Sequence, residues 1–214
     1  MTALDDLPHV RIDADPAIWL RGPSPDATDD QRRAWMLGAQ HAVSTDLDLE
    51  HAKGGADYRE YLSQVLTAFS DWSTPANVTF LRFRHQGDTP LPVSLELFSP
   101  DDLAEIDAAT DEVSAAGTSA AGRVVEALVT DPDHPATVGE VSREDVGESG
   151  WQRLVYWVED PRGGVVGHVR HVRHFESSGV VAVVRFGGLD PARTLEALDD
   201  VDRLALGIVV GDES

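Results

Sequence analysis

Apolar side chains recur at helical spacing before Asn77, alternate with polar ones over much of the chain from there, and return to helical spacing after Asp190. The first 26 residues are rich in Asp and Pro, with one apolar anchor at Ile18-Trp19-Leu20, and read as an irregular leader whose tryptophan tucks onto the rest. Thr28-Asp29-Asp30 offers helix-capping chemistry ahead of Trp35, Ala39, Ala42 and Val43, which predicts a helix there. A second helix is the clearest periodic signal. Tyr58, Tyr61, Leu62, Val65, Leu66, Phe69 and Trp72 step by three or four and fall on one stripe.

Val78–Gln86 and Val93–Phe98 read as two strands joined by the turn residues 86–92, a hairpin in which Leu81 and Phe83 point one way and Arg82 and Arg84 the other. Residues 101–118 are acidic and Ala-rich, either a short helix or a mobile insertion; Ser119–Val129 is a better helix, ended by Asp131-Pro-Asp-His-Pro135. Four further strands are predicted at Ala136–Val141, Trp151–Glu159, Val165–Phe175 and Val180–Phe186. Their connectors are too short for the crossover of about a dozen residues that parallel pairing needs, so they are antiparallel. Asp190-Pro191 then starts a last helix with Leu195, Leu198, Val201, Leu204 and Ala205 facing inward, and Ile208–Val210 closes the fold. The expected architecture is α+β: an antiparallel sheet with N-terminal helices and a C-terminal helix packed on it. Residues 1–26 form the leader and 27–214 one domain, helical over about 27–73 and sheet-containing over about 77–210.

Composition narrows the function classes. The formal charge at pH 7 is −21, from 38 acidic and 17 basic side chains, and Lys53 is the one lysine. Binding to nucleic acid or an anionic membrane is driven by cations, so both partners are excluded as leading readings, whereas a basic protein remains compatible. With no cysteine, thiolate catalysis, disulfides and Cys-ligated metals are ruled out. No apolar run approaches the roughly 18–20 residues of a membrane span, and residues 1–6 carry no secretory pattern, so the expected location is the cytoplasm.

Three stretches support a resemblance: Pro16-Ala-Ile-Trp19, Leu91-Pro-Val-Ser-Leu-Glu-Leu97, and the closing strand–turn–strand–helix from Val169 to Val210. In this pattern the chain resembles uncharacterised actinobacterial proteins of the Mog1/PsbP-like fold. The resemblance implies a sandwich of that type and a role among non-catalytic binders such as assembly factors and chaperones, and it assigns no functional residue. The 101–118 stretch departs from it.

The most unusual local sequence is Gly167-His-Val-Arg-His-Val-Arg-His174. On a strand, His168, Arg170 and His174 share one face, and His171 and Arg173 the other. His168 and His174 are roughly 20 Å apart and cannot chelate one ion, so no metal site is expected. With Arg153 and Arg185, these five residues form the candidate partner-binding face: Arg170, Arg173, His168, His171, His174, Arg153 and Arg185, a solvent-facing cationic stripe within an acidic exterior. Arg82 and Arg84 belong to the same strand-borne minority of cations. No nucleophile elbow, phosphate loop, zinc motif or dinucleotide fingerprint is present. Asp101-Asp102 and Asp199-Asp200 suit helix ends, His134 suits a turn, and no cofactor is expected. The leading expectation is a non-catalytic protein-binding adaptor, chaperone or assembly factor. An immunity-type protein that neutralises a basic toxin, and a small hydrolase centred on His168–His174, are the alternatives.

Overall fold

A computed structural model describes residues 10–74, 77–84, 89–109, 122, 124 and 137–211. The chain forms two compact units, one of residues 14–94 and one of residues 1–13 with 95–214. The boundary falls inside a single strand, between Ser94 and Leu95.

In the unit of residues 14–94, helix α1 (Asp29–Asp46) begins at Thr28 with a capping box: Gln31 N–H donates to the Thr28 hydroxyl, and Thr28 N–H donates to the Gln31 side chain. Helix α2 (Gly55–Ser70) packs against it. Tyr58, Leu62, Leu66 and Phe69 of the expected stripe are buried with Ala39 and Val43 of α1 and with Leu81 and Phe83. Tyr61 and Trp72 lie at the stripe's edges and are exposed. The stretch read as an irregular leader contributes two short strands, β1 (Val10–Ile12) and β2 (Trp19–Arg21). β2 pairs antiparallel with β3 (Asn77–Arg82), Trp19 opposite Arg82, and β3 neighbours β4 (Leu91–Phe98). Both faces of β3 are covered, so Arg82 is buried along with Leu81; only Arg84, past the strand's end, points outward as expected. The turn between β3 and β4 lies partly outside the described residues.

The other unit carries the antiparallel sheet. Its strand order is β4-β8-β7-β6-β5, with β5 at Ser142–Asp145, β6 at Gln152–Glu159, β7 at Val165–Phe175 and β8 at Val180–Gly188. A separate two-stranded ladder pairs β1 with β9 (Ile208–Val210), Val10 opposite Val210. Helix α3 (Pro100–Ala109) realises the helical alternative for the start of the acidic stretch. Asp102 accepts from the Ser99 backbone N–H and hydroxyl, and its own N–H donates to Ser99, so this carboxylate is a helix cap. The helix expected at 119–129, apart from residues 122 and 124, and the turn holding His134 lie outside the described residues.

Two expectations need correction here. The strand placed at Ala136–Val141 is displaced to Ser142–Asp145, whose residues are all exposed; within 137–141 there is one isolated bridge, Thr137 to Val158. The final helix is two helices, α4 (Pro191–Glu196) and α5 (Leu198–Leu206), because Ala197 closes one and opens the next. Asp190 caps α4 as expected, accepting from Ala192 and Arg193 N–H. With that break, Thr194 turns onto the sheet and Leu195, expected inward, is exposed. Val201, Leu204 and Ala205 of α5 are buried as expected.

Candidate functional site

The middle of β7 interrupts the expected solvent-facing stripe at Arg170 and His171. Val169, Arg170, His171 and Val172 are all buried in succession, so both faces of the strand are covered. One side holds the cluster of Leu103 from α3 with Leu154, Val172, Val181 and Val183, and the other meets α4 and α5. A strand covered on both sides cannot offer a polar face, and each buried cation must find partners.

On the α5 side those partners form a row across three strands. The pairing register sets Glu144 opposite Arg153 and Arg153 opposite His171, and α5 lowers Asp202 onto the row. His171 Nε2 lies 2.5 Å from Asp202 Oδ1, and Arg153 Nη1 donates to Asp202 Oδ2 at 2.6 Å. The other Arg153 amino group donates to Glu144. Burial pulls the His171 pKa below its ordinary value, against the hydrogen bond to Asp202. The ring is therefore neutral near pH 7, with its proton on Nε2, and among the described residues Nδ1 has no hydrogen-bond partner. Burial raises the Asp202 pKa, but His171 and then Arg153 outweigh it and the net direction is down.

The opposite face of β7 holds the second group. Arg170 Nη1 donates to the carbonyls of Val169 and Phe186, and Nη2 meets His168 Nδ1 at 3.2 Å. Its guanidinium sits 5.7 Å from the centre of the Tyr156 ring, on which His168 stacks at 5.2 Å. Arg185 pairs with Glu96 at 2.6 Å. Burial pushes the Glu96 carboxyl up, against the pull of Arg185 and Arg170. Among the described residues Arg170 Nε has no hydrogen-bond partner, and burial lowers the guanidinium's pKa. Removing the guanidinium leaves His168 Nδ1 and the Val169 and Phe186 carbonyls short of a donor, so Arg170→Met is expected to lose about 1–3 kcal/mol, and Arg170→Ala more through the added cavity, as read by urea denaturation.

The seven residues thus divide between two sides of one sheet. Arg153 and His171 share one network, and Arg170, His168 and Arg185 neighbour one another in the other. Arg173 lies over the Phe175 ring at 4.2 Å, and His174 is half-buried. Asp202, Glu144 and Glu96 are the acids that sequence reading missed. Asp202 carried one signal, an acid beside the apolar face made by Val201, Leu204 and Ala205. For acid–base chemistry the geometry is closed: His171 is 0% exposed and its Nε2 is taken. Among the described residues no three His, Asp or Glu side chains gather as a metal-ligand set, and no helix is long and apolar enough to cross a membrane.

A concave surface lies in the unit of residues 14–94. A cleft of about 560 Å3 opens between residues 16–20, the last turns of α1 and the end of β3. Ile18, Trp19, Val43, Leu47 and Phe83 give it an apolar lining, and Asp46 and Arg84 bring one charge of each sign. Its position follows from local structure. Asp15 accepts from Ala17 N–H, and its carbonyl from Ile18 and Trp19 N–H, which turns the chain so that Trp19 enters β2 beside Phe80, edge to face.

No family model and no curated protein sequence matches the chain. Among solved structures, it is similar to the Ran-binding protein Mog1p of Saccharomyces cerevisiae, at a TM-score of 0.40 and 9% identity over 64% of this chain and 80% of that one. A point mutant of Mog1 gives 0.37 and 10%, over 65% and 81%. LpqN, described as involved in cell envelope biogenesis of Mycobacterium tuberculosis, gives 0.36 and 14%, over 63% and 71%. At TM-scores this low, function has to be argued from the chain's own residues.

Proposed function

We propose that the protein acts without catalysis, by binding another protein, and that the cleft beside Trp19 receives an apolar segment of it. The observation that supports this reading is the cleft itself: concave, apolar in lining, and edged by an acid and a base that would fix the orientation of a bound segment. The charged side chains of the other unit support it from the opposite direction. His171 and Arg153 each engage Asp202, and the His171 ring is fully buried, which suits a scaffold better than a reaction centre. The acidic exterior favours a basic partner, as an adaptor, chaperone or immunity-type protein would meet.

Ala42 is exposed on α1 and borders the cleft, so Ala42→Arg fills the cleft while keeping a good helix former. Quantitative affinity capture from the cells that make the protein is expected to show a partner retained by the wild type and lost about tenfold by Ala42→Arg. Glu50→Gln, exposed and outside the cleft lining, should keep that partner. If the same proteins are captured at the same yield by all three, the cleft is not the binding site.

A further inference from the structure

The unit of residues 1–13 and 95–214 carries a second feature, at the corner of its sheet farthest along β6 from the β5 pairing. Val138 is 40% exposed, Val165 37%, Leu189 69% and Leu195 48%. The backbone brings these residues together. Val138 N–H donates to the Trp157 carbonyl, beside the Thr137–Val158 bridge, which sets Val138 next to Trp157. Trp157 is paired with Gly167, two residues along β7 from Val165, and Gly167 is paired with Gly188, next to Leu189. Thr194, the neighbour of Leu195, covers both glycines: a Cβ at Gly167 would meet its methyl at 3.3 Å, and one at Gly188 its hydroxyl at 3.7 Å.

Gly167 is what makes the corner flat. A Cβ there would come within 2.6 Å of the Trp157 ring, so the indole lies across bare strand and remains partly exposed. Val138 and Val165 flank Trp157 on the ladder, and Leu189 and Leu195 stand one residue beyond Gly188 and Thr194, so four exposed aliphatic residues are set close to a partly exposed tryptophan, where scattered single ones would need no explanation. Its border is acidic. Glu140, Glu159, Asp190 and Glu196 flank the apolar residues in the chain or across the ladder, against Arg162 and Arg193, and Arg193 is turned toward Asp190 at 3.7 Å.

We propose that this corner is a docking surface for a basic, apolar segment of a partner protein, distinct from the cleft beside Trp19. Apolar side chains of the segment cover Trp157 and the two leucines, and its lysines or arginines face the acidic border. A second copy of this chain fits poorly, because it would bring the same acids against the border in a molecule of charge −21.

The test is fluorescence anisotropy with a labelled amphipathic peptide of leucine and lysine, and with the same peptide carrying glutamate for lysine. The wild type is expected to bind the lysine peptide at least about tenfold more tightly than the glutamate peptide. Leu189→Asp with Leu195→Asp is expected to weaken the lysine peptide about tenfold or more, although it adds two negative charges, and Ala42→Arg should leave it unchanged. Both leucines are exposed, so near-UV circular dichroism and the melting temperature of the double variant should match the wild type; in the wild type, peptide should shift the NMR signal of the Trp157 indole N–H. Equal or tighter binding by the double variant would mean charge attraction without an apolar seat and would overturn the proposal, as would no binding to the wild type. Loss of binding in Ala42→Arg alone places the peptide in the cleft, and a wild-type dimer dissociated by the double variant makes the occupant a second copy. Either also overturns it.

Discussion

Asp202→Ala is expected to destabilise the protein by about 3 kcal/mol, measured as a lower urea midpoint at unchanged slope. The carboxylate serves two buried groups at once, His171 Nε2 at 2.5 Å and Arg153 Nη1 at 2.6 Å. Without it the His171 N–H loses its acceptor inside the sheet, and Arg153 keeps only Glu144 at its outer end. Removing one partner of a buried pair commonly costs about 3–5 kcal/mol, and the retained Glu144 contact places this case at the lower end. Asp202→Asn should cost less, since an amide oxygen still accepts one hydrogen bond.

The same network sets an acid sensitivity whose sign follows from the direction of the His171 shift. In the unfolded chain the ring takes a proton near about pH 6.5, while the folded protein resists it because burial disfavours the charge. The unfolded state therefore binds more protons as pH drops below that value, and stability declines until the lowered folded pKa is passed. Asp202 acts in a second window: its folded pKa lies below the ordinary 3.8, so its contribution is present above that value and is lost as pH falls further. His171→Phe stacks on Phe186 in the same way but cannot titrate, and should remove the first decline; it also takes away the larger of the two influences that lower the Asp202 pKa, so the second decline should shrink to what Arg153 sustains. Urea midpoints of the two proteins between neutral pH and pH 5 make the comparison; parallel curves would exclude His171 as the source.

Phe175→Ala is expected to cost about 3–5 kcal/mol by the same measurement. The side chain is 0% exposed, meets Trp151 edge-on with ring centres 6.1 Å apart, and carries the Arg173 guanidinium over its face. Alanine leaves a cavity that fully buried Trp151 would have to fill, and it uncovers the aliphatic stem of Arg173. Phe175→Leu retains most of the volume and should cost less than half as much. A loss under about 1 kcal/mol for Phe175→Ala would mean that the region collapses around the gap.

The elements legible in the sequence are those whose burial is expressed as periodicity. The α2 stripe, the apolar runs of β7 and β8, and the Asp190-Pro191 cap all follow from side chains that act locally. β5 shows no apolar alternation because its four residues are exposed, and the cross-strand reach of Arg153 to Glu144 links it to β6. Arg170 and His171 were misplaced for a related reason. Alternation in a strand implies a wet face only when polar side chains have nothing else to pair with, and here Asp202, 31 residues beyond His171, supplies the pairing. The apolar corner at Trp157 was equally hidden, since Val138, Val165, Leu189 and Leu195 meet only through the ladder. The cleft of the other unit was visible in part, as the Ile18-Trp19-Leu20 anchor.

The pairing of β1 with β9 has a consequence for how the chain is made. Val10–Ile12 leaves the ribosome early, yet its hydrogen-bonding partner is Ile208–Val210. Until that partner emerges the early strand has an open edge, and the ladder closes only after every intervening residue has emerged. Contacts of such long sequence separation form slowly, so this closure is a natural last step of folding. A ribosome-stalled chain ending before Ile208 should therefore leave residues 10–12 open to protease, even where the helices of residues 14–94 are already protected.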